Sequence, residues 1–525
     1  MKLGAMQDWP LRITRMIDHA EREHGSREIV SARADGTVYR TDWRETADRS
    51  RRLAQALERL GVGLGERVAT LAMNHDRHLV SWFGAVGMGA VLHTINPRLF
   101  DDQLVYIANH AEDRVLLYDR AFAPIVDRIR PSLASIKHFL CFDDDFDELL
   151  EREDGIYPWF ESDERDPCGL CYTSGTTGNP KGVLYEHRST VLHSMSVTVP
   201  DAFNVSARST MLPLVPMFHA NSWCIPYAAA ITGLKLVMCA DNQPERLCDL
   251  FREEGVTHSA GVPTIWMSMI EHATRNGIDL PSLETVIIGG SSAPAPVIRW
   301  FRERGVRVNH LWGMTEMSPV GTVSAPPADW DSMTEEEQIE YTLRPGRSMF
   351  GVELRTITEE REVLTRDGVS AGRLQARGPS VVRRYFMDSN DSVDRDQWFD
   401  TGDIAVIHPD GSIQITDRAK DVIKSGGEWI SSIELENAAV GCPGVAEAAA
   451  IGIPHPKWSE RPLLLIVRSP ESTVTEDQVR DHLLRSVPKW WQPDAVEFVE
   501  ELPHTATGKL SKKTIREQFS ARRFA

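Results

Sequence analysis

Cysteine is scarce. Seven cysteines in 525 residues, an odd number in a long chain, do not make a disulfide framework. Long apolar runs are missing too: no stretch of about 18 uninterrupted apolar residues occurs, so no membrane span is expected. The N-terminal residues Met1 to Asp8 lack the apolar core of a secretory signal, which makes a reducing cytoplasm the expected compartment. Positive charge is in deficit, with 58 Lys+Arg against 76 Asp+Glu and a net charge of −18. That balance argues against a general nucleic-acid or anionic-membrane binder, whose affinity comes from a basic surface. It leaves open a small polyphosphate ligand held by local donors. No internal repeat or low-complexity linker is visible.

What is present is a composition of 42% hydrophobic and 26% charged residues, that of a soluble globular chain long enough for three or four domain-sized units. The first half alternates strand and helix patterns. Strand candidates are Arg67–Met73, Ala90–Thr94, Arg114–Tyr118, Lys137–Phe142 and Thr285–Gly290, with a helix-like stretch from Arg77 to Met88. Such alternation predicts a layered α/β architecture with mostly parallel strands, whose ligands sit where strand C-termini open into loops. Past residue 420 the pattern changes to strands at Val445–Ile453, Leu463–Val467 and Ala495–Val499, a helix over Thr475–Arg485 capped by Thr475, and a basic C-terminal helix. These residues suffice for a separate small α+β domain. Cys168 and Cys171 have CxxC spacing without a second pair to complete a zinc site, and read as buried thiols. The acidic run Asp143 to Glu148 and the triplet Glu335-Glu336-Glu337 read as solvated surface, as do Lys512 and Lys513.

The sharpest segment is Tyr172-Thr173-Ser174-Gly175-Thr176-Thr177-Gly178-Asn179-Pro180-Lys181-Gly182. Its glycines allow close backbone approach and positive φ, its hydroxyls and N–H groups suit phosphate oxygens, and Lys181 adds charge. It is not a Walker A loop, because Lys181 follows Pro180 and precedes Gly182.

This segment resembles the signature loop of the adenylate-forming superfamily, which contains acyl-CoA synthetases, peptide-synthetase adenylation domains and firefly luciferase. Four more segments resemble that family's motifs in its order: His310-Leu311-Trp312-Gly313-Met314-Thr315-Glu316, Trp398 to Asp403, Asp417 to Glu428, and Pro503 to Leu510. The resemblance spans nearly the whole chain. It implies an α/β fold with a large multi-subdomain N-terminal adenylating domain, residues 1–419, and a small mobile α+β C-terminal domain, residues 420–525, hinged at Lys420.

The resemblance also implies roles. A carboxylate joined to the α-phosphate of ATP must overcome charge repulsion, so the site must neutralise charge as it develops. Glu316, with Thr173, would hold Mg²⁺ through hard oxygen ligands. Lys509 would bridge the acyl carboxylate and the phosphate. Thr173, Ser174, Gly175, Thr176, Thr177, Gly178 and Lys181 would hold the β- and γ-phosphates. Nucleotide contacts would come further from Gly290, Ser291, Ser292 and His310 to Thr315, with Trp312 along the adenine. Asp403 and Arg418 would hold the ribose. After adenylate formation, rotation about Lys420 would replace Lys509 with Lys424, Ser425, Gly426, Gly427, Glu428 and Trp429, lining a tunnel for coenzyme A.

Pro216 to Trp223 resembles the family's acyl-pocket motif, with His219 between acyl group and nucleotide. His219 and Trp223 are four apart and would share a face on a helix. Trp223, Val262, Gly289 and Gly290 would wall the pocket, and a tryptophan there would favour short or medium acids. Leu3-Gly4-x-Met6, the P-M-F-H-A-N-x-W run and the H-x-W-G-M-T-E-M-S-P run resemble the branch of medium-chain fatty-acid:CoA ligases and 3-methylmercaptopropionyl-CoA ligases. The expected activity is therefore an AMP-forming acid:CoA ligase using ATP, Mg²⁺ and coenzyme A. An adenylating enzyme that loads a carrier protein in trans is the alternative. A homodimer is plausible by the same resemblance, and no nucleic-acid partner is expected.

Overall fold

The computed structural model describes residues 4–173, 179–426, 428–504 and 510–524. Ser174, Gly175, Thr176, Thr177, Gly178, Gly427 and Lys509 lie outside the described residues, as does the side chain of Glu428.

The predicted alternation appears as two largely parallel sheets. A six-stranded sheet runs in the order His138–Cys141, Asp113–Tyr118, Arg67–Leu71, Val91–Thr94, Pro167–Tyr172, Gly182–Glu186; only its last pair is antiparallel. A nine-stranded sheet has a parallel centre containing Glu28–Ala32, Thr210–Pro213, Lys235–Cys239, His258–Gly261, Thr285–Ile288 and Arg307–Gly313, with antiparallel strands at both edges. Central strands such as Thr285–Ile288 are buried at every position, as helix layers on both faces of a parallel sheet require. Asn74, at the end of Arg67–Leu71, ties the two sheets together. Its amide donates to the Pro213 and Val215 carbonyls, and its oxygen accepts from Met217 N at 2.6 Å.

A four-stranded antiparallel sheet follows: Glu353–Ile357, Gly372–Arg377, Phe399–Ile407 and Ile413–Arg418. The sequence pattern does not mark it, because its first three strands are separated by long irregular connections. The last sheet begins at Ile423–Ser425, and the expected strands appear as Val445–His455, Ser459–Arg468 and Ala495–Val499. Helix Glu476–Ser486 carries the predicted cap: the Thr475 hydroxyl accepts from Gln478 N in a capping box. The chain is thus an α/β protein with a large N-terminal domain and a small C-terminal one. No helix among the described residues is long and apolar enough to cross a membrane.

Two surface readings hold and one needs correction. Asp143, Asp144, Asp145 and Glu148 are exposed, as read, while Phe146 is fully buried and opens the helix Phe146–Glu151; Asp143 and Asp147 pair with Arg77, and Asp147 also with Arg49. Glu335 to Glu337 are exposed, as read, and form the first turn of the helix Glu335–Leu343, where carboxylates suit the helix N-terminus. Lys512 is buried, its ammonium held by Glu436 at 2.8 Å. Cys168 and Cys171 are buried as expected, and burial pushes their thiols up to about 12 and about 11.

Candidate active site

A cavity of about 170 Å³ opens where the strands of the two large sheets end. From the predicted set it brings together Thr173, His219, Trp223, Val262 and Gly290. The turn after Arg307–Gly313 adds Gly313, Met314 and Thr315, and Leu311 reaches the cavity from the strand itself. Thr94 and Asn96, at the end of Val91–Thr94, line it too and went unnoticed in the sequence.

The phosphate-loop flanks are clamped. Thr173 N donates to the Lys181 carbonyl at 2.9 Å, and Lys181 N donates to the Thr173 hydroxyl. The Lys181 ammonium lies 4.6 Å from the centre of the Tyr385 ring. Tyr385 donates to Glu316 Oε1 at 2.8 Å, and the Glu316 carbonyl accepts from Val382 N at 2.7 Å. One tyrosine thereby links the loop lysine to the candidate metal carboxylate. Nothing in the sequence flagged it, because Tyr385 lies far along the chain from both. Burial and the adjacent Glu316 charge raise the Tyr385 hydroxyl far above its ordinary value, so it stays a proton donor.

Asp403 is buried and bridges two predicted partners. The Trp312 indole N–H donates to one oxygen at 2.9 Å, and the Arg418 guanidinium meets the other at 2.9 Å. The Thr401 hydroxyl accepts from Asp403 N, which fixes the turn. Gly313 must be glycine, since a Cβ would stand 2.0 Å from the Pro319 carbonyl oxygen.

Other expected residues serve differently. His310 does not face the cavity: its Nδ1 lies between the Thr342 and Leu343 carbonyls, and burial lowers its pKa to about 4. A neutral imidazole that donates to backbone there is a strut for the strand. Gly289 sits behind the cavity, where a Cβ would collide with Leu311 at 2.4 Å and approach the Trp223 ring at 3.1 Å. Ser291 and Ser292 are exposed beyond it. His219 and Trp223 share the cavity but not a helix face. Residues Ala220 to Cys224 form a turn with φ between 37° and 61°, so the chain winds left-handed there. Ser222, whose N–H meets the His219 carbonyl and whose hydroxyl donates to the Val215 carbonyl, holds this costly geometry.

The hinge-side residues lie away from the cavity. Lys420 is exposed, and desolvation together with Arg418, Arg516 and Lys513 lowers its pKa against the opposing pull of Asp421. Lys424 is exposed and ion-paired to Glu359 at 2.9 Å. Ser425 is buried against Arg461, and Gly426 lies under the Trp458 ring with φ 62°. Trp429 is half-buried on Glu428–Ile430.

Residues 17–386 match the AMP-binding enzyme family and residues 434–509 its C-terminal domain. The chain belongs to the AMP-binding enzyme family. It is 47% identical to a 3-methylmercaptopropionyl-CoA ligase of Ruegeria lacuscaerulensis, over 98% of this chain and 99% of that one. It is 45% identical to a medium-chain-fatty-acid–CoA ligase of Ectopseudomonas oleovorans, over 98% and 97%. Among solved structures, an anthranilate CoA ligase in complex with anthranoyl-AMP superposes with TM-score 0.86 at 23% identity, over 98% and 99% of the two chains, a likeness of fold.

Proposed function

We propose that this chain is an AMP-forming acid:CoA ligase that activates a short- or medium-chain carboxylic acid, either a fatty acid or 3-methylmercaptopropionate. The observation that carries the reading is the near-full-length identity of 45–47% to ligases of those two acids, joined to a cavity lined by the motif residues.

In the first half-reaction a carboxylate oxygen attacks the α-phosphorus of ATP, and the bond to the pyrophosphate oxygen breaks. The acid would lie between His219, Trp223, Val262 and Gly290, with Gly289 as backing. Thr315 and the loop from Thr173 to Lys181 would receive the phosphates. Asp403, which accepts from Trp312 and pairs with Arg418, would hold the ribose together with Arg418. Lys509 would neutralise charge between carboxylate and phosphate. The oxygen donors Glu316 and Thr173 suit Mg²⁺, which when bound supplies charge neutralisation for the polyphosphate. Tyr385 would orient the Glu316 carboxylate.

In the second half-reaction the thiol of coenzyme A attacks the acyl carbon, its proton leaves to solvent, and AMP departs. Rotation of residues 420–525 about Lys420 would bring the loop from Lys424 to Trp429 to the cavity for this step.

The test is AMP release with ATP and Mg²⁺ across acids from acetate to dodecanoate, with 3-methylmercaptopropionate and benzoate included, with and without coenzyme A. Turnover that requires coenzyme A and peaks at one acid is the expected result. AMP formed once per enzyme and indifferent to coenzyme A would point instead to a carrier protein as acceptor.

A further inference from the structure

Lys512 is 9% exposed, and its ammonium is fully engaged in the interior of the C-terminal domain. It lies 2.8 Å from Glu436 Oε1 and donates to the Ser432 hydroxyl at 2.5 Å. Ser432 in turn is bound twice to Asp417: its N–H donates to Oδ2 at 2.5 Å and its hydroxyl to Oδ1 at 2.9 Å. Glu436 Oε1 also accepts from Ala450 N at 2.7 Å. Four polar side chains from the strand Ile413–Arg418, the helix Ser432–Val440 and the helix Lys512–Gln518 thus form one buried network.

Stability alone does not explain it. A buried ion pair gives little net stabilisation, and an apolar side chain of similar volume often does as well. What such a pair supplies is registry. Lys512 follows Lys509 by three residues in the sequence. A second constraint closes the far side: His504 pairs with Leu510 in an antiparallel bridge, and Ser511 N donates to the Pro503 carbonyl at 2.8 Å. The other end of the network, Asp417, stands three residues before Lys420.

We infer that Lys512 is a positioning residue for the adenylation step: its pair with Glu436, extended through Ser432 to Asp417, sets where the segment carrying Lys509 stands relative to the strand that leads into the hinge. This rests on the proposed ligase reading and goes beyond it, because Lys512 touches neither substrate nor reacting atoms. A cationic side chain is required rather than any buried one, because only a donor of several hydrogen bonds reaches Glu436 and Ser432 together.

The experiment separates the half-reactions. Lys512→Met, Lys512→Arg and Glu436→Gln are compared with the unsubstituted protein in acid-dependent ATP–pyrophosphate exchange and in thioester formation from supplied acyl-AMP and coenzyme A. Thermal melting is followed alongside. Lys512→Met is expected to lower exchange about 30-fold or more, as small misplacements of a catalytic group do, while thioester formation stays within about threefold. Lys512→Arg should restore most of the exchange, and Glu436→Gln should show the same split at smaller amplitude, which also serves if Lys512→Met fails to fold. Exchange that survives in folded Lys512→Met, or both half-reactions falling alike in Glu436→Gln, would overturn the inference alone. Absence of acid-dependent exchange in the unsubstituted protein would overturn the ligase reading and this inference with it.

Discussion

The N-terminal body and the C-terminal domain hold their candidate site residues in opposite ways. In the body, Glu316 and Asp403 are buried and held by named partners, Tyr385 for one and Trp312 with Arg418 for the other. In the C-terminal domain, Lys420 and Lys424 are exposed, and Lys424 is spent on a surface ion pair with Glu359. One half of the site is preorganised by packing. The residues proposed for the other half sit on an exposed surface and do not line the cavity. The difference accords with two half-reactions that share one fixed pocket and exchange what faces it. It also makes the halves separable by mutation: damage to the body should affect both steps, and damage to the small domain one.

The largest effect should come from the body. Glu316→Gln keeps the shape and the contact with Tyr385 but removes the charge, and overall turnover should fall about 10²- to 10³-fold, the scale on which preorganised charge-stabilising groups act. Both half-reactions should fall if Glu316 serves the nucleotide in each, as proposed. A loss confined to thioester formation would break the comparison.

Acid should distinguish the regions next. His78, His187, His193 and His310 are all buried in the body, and burial lowers their pKa values to about 3, 4, 4 and 4. In the unfolded chain they titrate near 6.5, so between pH 6.5 and 4 the unfolded state binds more protons and stability falls as pH falls. From pH 6.5 to 5 each such group forfeits about 2 kcal/mol, at 1.36 kcal/mol per pH unit. Thermal melts at pH 7.5 and 5 should show the main transition lowered by many degrees. A main transition that does not move with pH would show that these rings are not neutral in the folded body.

The acyl wall should respond on a smaller scale. Trp223 lies over Gly289 and lines the cavity. Trp223→Leu is expected to raise kcat/KM for acids one or two methylenes longer by roughly tenfold relative to the original preferred acid, since each methylene in an apolar pocket is worth about 1–3 kcal/mol. An unchanged preference order would place the length limit elsewhere, with Leu99 and Ile107 the next lining residues to alter.

Much of this arrangement was legible in the chain. Parallel strands announce themselves as short buried apolar runs, as at Thr285–Ile288, and Thr475 followed by Gln478 spells a capping box. The motif residues Thr173, His219, Thr315 and Gly290 line one cavity, as the family resemblance implied. What failed did so for physical reasons. A four-residue interval between His219 and Trp223 means one face only on a right-handed helix, and residues 220–224 wind the other way. Tyr385 acts through a contact 69 residues long in sequence, which no local pattern encodes. Lys512 reads as surface because lysine nearly always is; only the fold shows the carboxylate that lets it be buried.

The smallest effect on stability should be at Lys424, and it tests the delivered half of the site most directly. Its ion pair with Glu359 joins two side chains that are more than half exposed, 54% and 62%. Water screens such a pair, and ordering two long side chains offsets most of the attraction. Lys424→Ala should therefore leave the melting temperature where it is. If the loop from Lys424 serves the second half-reaction, the same substitution should raise the KM for coenzyme A about tenfold or more, the scale of one lost charged hydrogen bond, while acid-dependent pyrophosphate exchange stays intact. Glu359→Ala is the counterpart. It removes the surface pair without touching the loop, so its KM for coenzyme A should stay level or fall, because Lys424 is then released for the thiol step. A rise in KM with Glu359→Ala would mean that the pair itself belongs to the productive arrangement, and that the contrast between a built half and a delivered half must be redrawn at this residue.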